Sequence, residues 1–209
     1  HLMALNSYAN LKASIIAHSG RDDLSAVIDD FITLAEVLMF ANETPLRLRT
    51  FEVSETLTTI AGSNTIALPD GFLEARSVQL TSNGDTRALV YNSPSSLLSM
   101  TGQGVPSNYS ITNAIIFDRV ADAAYDMPIT YYSKPAPLSS ANQSNVILAG
   151  HPNIYLYGAL AALYDFTDDL QNSEAFVRKM ARGIVGANNS DQRGRTGPRA
   201  RGKVNGSTP

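Results

Sequence analysis

The sequence predicts an α+β protein whose helices gather at the two ends of the chain, with the strands between them. Two kinds of periodicity carry this reading. Apolar residues recur every three or four positions before Pro45 and again after Pro152, the spacing of one helical face. From Arg47 to about Ser133 the period falls to two, β-branched side chains dominate, and turn-forming pairs punctuate the runs with no helix between them. Strands in such succession form an antiparallel sheet or small sandwich and not a parallel βαβ fold.

Taken in order, Leu5, Tyr8, Leu11 and Ile15 mark a first helix, with Asn6 or Ser7 available as its cap and Gly20 as its stop. A second, longer helix carries Leu24, Val27, Ile28, Phe31, Leu34, Ala35, Leu38 and Met39 as one buried stripe, with Asp22 and Asp23 at the positive end of its dipole. Pro45 stops it. Strands are then expected at residues 51–60, 65–68, 74–80, 86–91, 109–112, 114–117 and 129–132, separated by Gly62-Ser-Asn, Pro69-Asp-Gly, Asn83-Gly, Thr112-Asn and Asp126 to Pro128. Residues 93–107 read as a Ser/Gly/Pro-rich loop with room for one helical turn at Ser96 to Met100, and residues 133–150 as a long connection. Pro152 can open a helix PNIYLYGALAALYDF that is apolar nearly all round and therefore buried. Asn172 or Ser173 caps a last helix with Ala175, Phe176, Met180, Ile184 and Val185 on one side.

The chain has 209 residues and a formal charge of −3. That average hides a polarity. From Gln192 to Pro209 there are five basic residues (Arg193, Arg195, Arg199, Arg201, Lys203), no acidic one, and little that is apolar, so the segment is expected to stay disordered on its own. The other 11 of the 16 basic residues face all 19 acidic ones, a net of −8 for the body. Charged residues make up 17% of the chain, against a typical figure of roughly 25%, which suits a surface that meets partners. Met3 reads as a natural start behind His1 and Leu2, and without a signal peptide or membrane span the chain reads as soluble and intracellular.

Little in the sequence points to catalysis. No cysteine is present, so disulfides, thiolate metal sites and cysteine nucleophiles are excluded, and three histidines (His1, His18, His151) leave little for a multi-histidine centre. The pairs Asp22/Asp23, Asp29/Asp30 and Asp168/Asp169 point about 100° apart on a helix and do not converge on one ion, so solvation or capping is their simpler role. His18 suits a helix C-terminus, and His151 a structural place before Pro152. There is no G-x-S-x-G elbow, P-loop or dinucleotide fingerprint. Tyr131, Tyr132, Tyr155, Tyr157 and Tyr164 could form a sugar platform, although a core role with a polar tip is the plainer reading. The basic segment is the one feature whose functional reading stands level with the bland one. It fits an acidic partner groove better than nucleic acid, since it lacks aromatic residues and the body repels phosphate.

The order of IDDFITLAE (Ile28 to Glu36), PLRLR (Pro45 to Arg49), IALPDGFLEARSVQL (Ile66 to Leu80), GVPSNYSI (Gly104 to Ile111), IIFD (Ile115 to Asp118), ITYYSKPAPLS (Ile129 to Ser139) and HPNIYLYGALAALYDF (His151 to Phe166) resembles tailed-phage adaptor, or head-completion, proteins. The likeness runs from about Leu11 to Arg182. It departs where Arg119-Val-Ala stands in place of a proline-rich turn, which leaves the local turn open.

The resemblance implies a non-enzymatic virion protein without cofactor or metal. Made in the host cytoplasm, it would sit at the head–tail interface, bind beneath the portal protein as a ring of twelve copies, meet a tail, nozzle or stopper protein on its other side, and pass DNA through its lumen. It also implies a helical bundle of two N-terminal and two C-terminal helices with an inserted antiparallel β domain and an extended C-terminal arm. Mapped here, the parts are residues 3–46, 47–135, 136–189 and 190–209, with Arg193, Arg195, Arg199, Arg201 and Lys203 as the portal-binding residues. Two readings of other classes stand beside it: a virion-associated glycan- or receptor-binding β-module presenting the tyrosines, and a hydrolase whose cleft gathers His151 with carboxylates.

Overall fold

A computed structural model of the chain describes residues 5–41, 43–97, 99 and 102–195. Among them are six α-helices and two four-stranded sheets, a mixed α+β architecture. The chain divides into two units, one drawn from the residues up to Arg49 and from Pro137 onward, the other spanning Thr50–Ala136.

In the helical unit, α1 (Tyr8–Ser19) starts where the Ser7 side chain accepts the Asn10 N–H. It stops at Gly20, whose φ of 65° is reached at little cost only without a Cβ. Asp22–Leu24 form a 3₁₀ turn and α2 (Ile28–Ala41) begins after it, so the acidic residues at its positive end are Asp29 and Asp30 and not Asp22 and Asp23. The stripe also differs from the expected one. Ile32 and Glu36 are buried and Leu34 is half exposed, because α2 turns the Ile28, Phe31, Ala35, Met39 face toward α5 (Pro152–Phe166). The connection after Ser133 contains a short helix, α4 (Val146–Gly150), which Asn145 caps by accepting from the N–H groups of Ile147 and Leu148. Asp169 caps α6 (Leu170–Arg195) by accepting the Asn172 N–H, in place of the expected Asn172 or Ser173.

α5 is buried nearly all round, as its composition requires, and packs on α1, α2, α4 and α6. Gly158 sets how closely. A Cβ built there would stand 2.8 Å from the Ala35 Cβ of α2 and 3.1 Å from the Met180 Sδ of α6, so the three helices meet at a point that only a hydrogen fits.

The β unit is built from β1 (Glu52–Thr58), β2 (Thr65–Ala67), β3 (Phe72–Ser82), β4 (Asp85–Ala88), β5 (Val90–Tyr91), β6 (Asn108–Ile111), β7 (Ala114–Phe117) and β8 (Asp126–Ser133). They pair as β1-β8-β3-β4 and β2-β7-β6-β5. Alternate residues of β3, β7 and β8 point into one core: Val78 and Leu80, Ile115 and Phe117, Met127, Ile129 and Tyr131. The β3–β4 hairpin turns at Asn83-Gly84, where φ values of 53° and 85° match the turn whose twist suits paired strands. Three features depart from expectation. Asp126 to Pro128, expected as a turn, instead open β8 and pair with Thr56 to Thr58 of β1. The single strand foreseen at residues 86–91 divides at Leu89, which turns into the core while β4 and β5 join different sheets. The β5–β6 pair is parallel, and a short helix, α3 (Pro94–Leu97), overlaps the helical turn expected at Ser96 to Met100, of which Leu98 and Met100 lie outside the described residues.

Candidate functional site

The basic segment was expected to leave the fold at Gln192. Instead α6 continues to Arg195, and the reason is tertiary. After α2 the chain turns at Pro45, and the Leu46 N–H donates to the Met39 carbonyl at the end of that helix. Residues 45–48 then pass beside the end of α6 and lead into a 3₁₀ turn, Arg49–Phe51. Leu46 and Leu48 are buried, while Arg47 is half-buried and Arg49 exposed. Two α6 side chains one turn apart take up the backbone of this strap. The Asn188 Oδ1 accepts the Arg47 N–H at 2.9 Å while its Nδ2 donates to the Pro45 carbonyl at 3.0 Å. The Asp191 Oδ2 accepts the Arg49 N–H at 3.0 Å. These bonds hold the last turns of α6 against the body, which is why a Gly/Arg-rich sequence stays helical this far.

The charges at this end are sorted by depth. The Asp191 side chain is only 10% exposed, whereas that of Arg49, whose Nε lies 3.7 Å from Asp191 Oδ1, is 60% exposed. The carboxylate is covered and the guanidinium faces out. Gly194 makes room for it, since a Cβ there would come within 3.0 Å of Arg49 Nη1. Arg47 is half-buried, its Nη1 donating to the Leu46 carbonyl, and Arg193 is exposed on α6. Of the five expected partner-binding residues, Arg193 lies in the last turn of α6, and Arg195 ends the helix. Arg199, Arg201 and Lys203 lie outside the described residues. Arg47 and Arg49 were not singled out. The sign that marked them was the strict alternation of leucine and arginine in PLRLR, which announces a one-sided strand but not what it lies against.

A second polar group holds the same unit together. Glu36 is 6% exposed, and its Oε1 accepts both the Leu138 N–H and the Tyr155 hydroxyl at 2.8 Å. The Asn145 Nδ2 donates in turn to the Tyr155 oxygen at 2.7 Å, which joins α2, the residue 138 connection, the α4 cap and α5 in one chain of bonds. Burial raises the Tyr155 hydroxyl far above the ordinary tyrosine range, and the negative Glu36 adds to that, so the group donates at any ordinary pH.

The other candidate residues fall into structural places. His151 ends α4 and precedes Pro152; its N–H donates to the Ile147 carbonyl and its own carbonyl accepts from Ile154. His18 Nδ1 donates to the Ser14 carbonyl in the last turn of α1. Asp29 pairs with Lys12 at 2.6 Å, tying α2 to α1. Tyr131, Tyr132 and Tyr155 are buried, and Tyr164 stacks on Phe176 at 5.5 Å, so these rings serve the packing and do not line a ligand face. Among the described residues no three of His, Asp and Glu gather where they could hold a metal ion, and no helix is long and apolar enough to cross a membrane. Apolar side chains do stand in solvent on the helical unit: Leu34 and Val37 on α2, Val177 and Val185 on α6, with a cavity of about 320 Å³ lined by Glu43, Thr44, Ala181 and Val185.

The family model described as SU10 adaptor protein matches residues 6–202 of the chain. No curated protein matches it.

Proposed function

The chain belongs to the SU10 adaptor protein family, the head–tail adaptors of tailed phages, and from that membership we propose that it assembles as a twelve-membered ring beneath the portal and continues the DNA channel toward the tail. As an adaptor it is a structural component of the virion that contacts other head or tail proteins. In the proposed assembly the helices before residue 47 and after residue 135 build the ring, and the β unit faces the tail, nozzle or stopper protein. The basic C-terminal arm reaches the portal through Arg193, Arg195, Arg199, Arg201 and Lys203.

The observation that supports this reading most is the end of α6. The helix ends within acid-free, arginine-rich sequence and is tied to an acidic body by Asn188 and Asp191. A segment too poor in apolar residues to fold on its own is suited to ordering on a partner. Exposed Leu34, Val37, Val177 and Val185, together with the low charged fraction, fit contacts between subunits. An acidic lumen would repel the duplex and let it slide.

Mixing the protein with its cognate portal and imaging by electron microscopy tests the reading, with a chain ending at Arg195 alongside. The full chain is expected to add a ring of density to the portal, and the shortened one to decorate it far less. Failure of the full chain to bind overturns the portal assignment. Equal decoration by both removes the arm from it.

A further inference from the structure

We infer that the β units of neighbouring copies join edge to edge: the outer edge of β4 in one copy pairs antiparallel with the outer edge of β1 in the next, with Ala88 opposite Ser54 and Thr86 opposite Thr56. The inference rests on the ring reading for its head-to-tail order and adds a second contact between subunits to the helical one. Native sheets keep edge strands short, or guard them with proline, lysine or a bulge. The β2-β7-β6-β5 sheet follows this rule, with three residues in β2 and two in β5 at its edges. β1 does not. It runs seven residues without proline, lysine or a break in register, six of them exposed, and all four residues of β4 are exposed. Among the described residues no strand pairs with the far side of either one.

The two edges fit each other in direction, hydrogen-bond phase and charge. Neighbours in β1-β8-β3-β4 are all antiparallel, so β1 and β4 run in opposite senses, and β4 of one copy set beside β1 of another continues the antiparallel order. The Thr59 N–H donates to the Tyr125 carbonyl in register with the β1–β8 ladder. Alternate residues from Val53 to Thr59 therefore bond β8, and the N–H and carbonyl groups of Ser54 and Thr56 face away from it. By the same alternation the Leu89 N–H, which donates to the Val78 carbonyl, leaves the groups of Thr86 and Ala88 facing away from β3. Charge selects the register. With Ala88 opposite Ser54, Arg87 stands opposite Glu55, whereas a slip of two residues sets Glu55 against Asp85 in one direction and against the buried Leu89 in the other. Arg87 already donates through Nη2 to the Pro106 carbonyl and the Ser107 hydroxyl, and Glu55 accepts the Tyr131 hydroxyl; these bonds use one guanidinium nitrogen and part of the carboxylate's capacity, and they hold both groups at their edges. The incoming strand would also cover Val53, which is 38% exposed. An unrelated strand could satisfy one edge, but a second copy satisfies both.

The chain has no cysteine, so engineered pairs report contacts without background. The full-length variant Ser54→Cys/Ala88→Cys is oxidised alone at high concentration and on its cognate portal ring, then separated on a denaturing gel. Opposed Cα atoms of an antiparallel pair lie about 4.5–5.5 Å apart, within disulfide reach, whereas three strand spacings of about 4.8 Å separate the two positions inside one chain. A ladder of trimers and larger species is expected. The offset pair Thr58→Cys/Ala88→Cys, four residues out of register, is expected to cross-link about tenfold less or weaker still. Thr56→Pro removes an N–H that faces away from β8, so melting followed by circular dichroism is expected to change little, while the ladder of the cysteine pair falls about tenfold. Arg87→Glu in the cysteine background is expected to thin the ladder, and Glu55→Arg added to it to restore it. Failure of the cysteine pair to cross-link in both settings, or equal cross-linking by the offset pair, overturns the edge pairing; a ring still seen on the portal by electron microscopy then leaves the ring reading intact. Dimers alone overturn the head-to-tail order. A ladder with no ring on the portal upholds the edge pairing and overturns the ring reading. Density that pairs β1 with a strand of the portal overturns the choice of a second copy.

Discussion

Replacing Gly158 by alanine adds one methyl group at the crossing of α5 with α2 and α6. The new carbon would stand 2.8 Å from the Ala35 Cβ and 3.1 to 3.2 Å from the sulfur and terminal methyl of Met180. Carbon atoms in contact prefer about 3.5–4.0 Å. Met180 can give way by changing rotamer, but the Ala35 Cβ is fixed to its backbone, so α2 itself has to move. Alanine in a helix is worth ~1 kcal/mol over glycine. Overpacking a filled core costs ~1–3 kcal/mol, and a clash with a backbone-anchored atom belongs in the upper part of that range. The net is a loss of ~1–2 kcal/mol, which for a chain of this size lowers the melting temperature by roughly 2–4 °C per kcal/mol. Urea unfolding followed by far-ultraviolet circular dichroism reads it, since the helical unit supplies most of that signal. Gly186→Ala is the control: its Cβ would meet nothing within 4 Å, and it is expected to gain up to ~1 kcal/mol. A Gly158→Ala midpoint at or above that of the unmodified protein, with the control stabilised, would refute the three-helix contact.

Tyr155→Phe removes the hydroxyl that joins Glu36 to Asn145, leaving a buried carboxyl group short of a donor; a loss of ~1–3 kcal/mol is expected in the same unfolding assay. In the β unit, burial raises the Asp118 carboxyl, but hydrogen bonds from the Asn108 side chain and the backbone N–H groups of Ser107 and Asn108 outweigh it and hold the group below the usual carboxylate range, helped by Arg119. Its folded value thus lies below its unfolded one. Its contribution to stability is complete above the unfolded carboxylate value of about 3.9 and is lost as the pH falls through the folded value. Titration of the Asp118 side-chain carbon by NMR is expected to show a midpoint below the ordinary range, and Asp118→Asn to remove this part of the acid sensitivity while lowering stability at neutral pH.

Much of the fold was legible because it depends on neighbours along the chain. Ser7 and Gly20 bound α1 through their own backbone preferences, and Asn83-Gly84 makes a hairpin because both residues accept positive φ. The apolar run of α5 announces burial whatever surrounds it. The positions that misled are those whose environment lies far off in sequence. Leu34 and Val185 keep perfect helical spacing yet face solvent, and Glu36 sits in the core because Leu138 and Tyr155 arrive to satisfy it. Leu89 splits one expected strand because its burial draws the chain from one sheet to the other.

The candidate site divides along the same line. Composition and residue order alone reveal a basic C-terminal end on an acidic chain and the absence of cysteine chemistry, since these need no knowledge of the fold. Which strap residues join that end, where α6 stops, and that Asp191 hides while Arg49 stands out follow from hydrogen bonds closed across 141 and 142 positions. No local preference encodes such a closure. It forms because the helical unit, once packed around α5, brings Asn188 and Asp191 within reach of the Arg47 and Arg49 N–H groups, of which the part-buried Arg47 N–H most needs a partner.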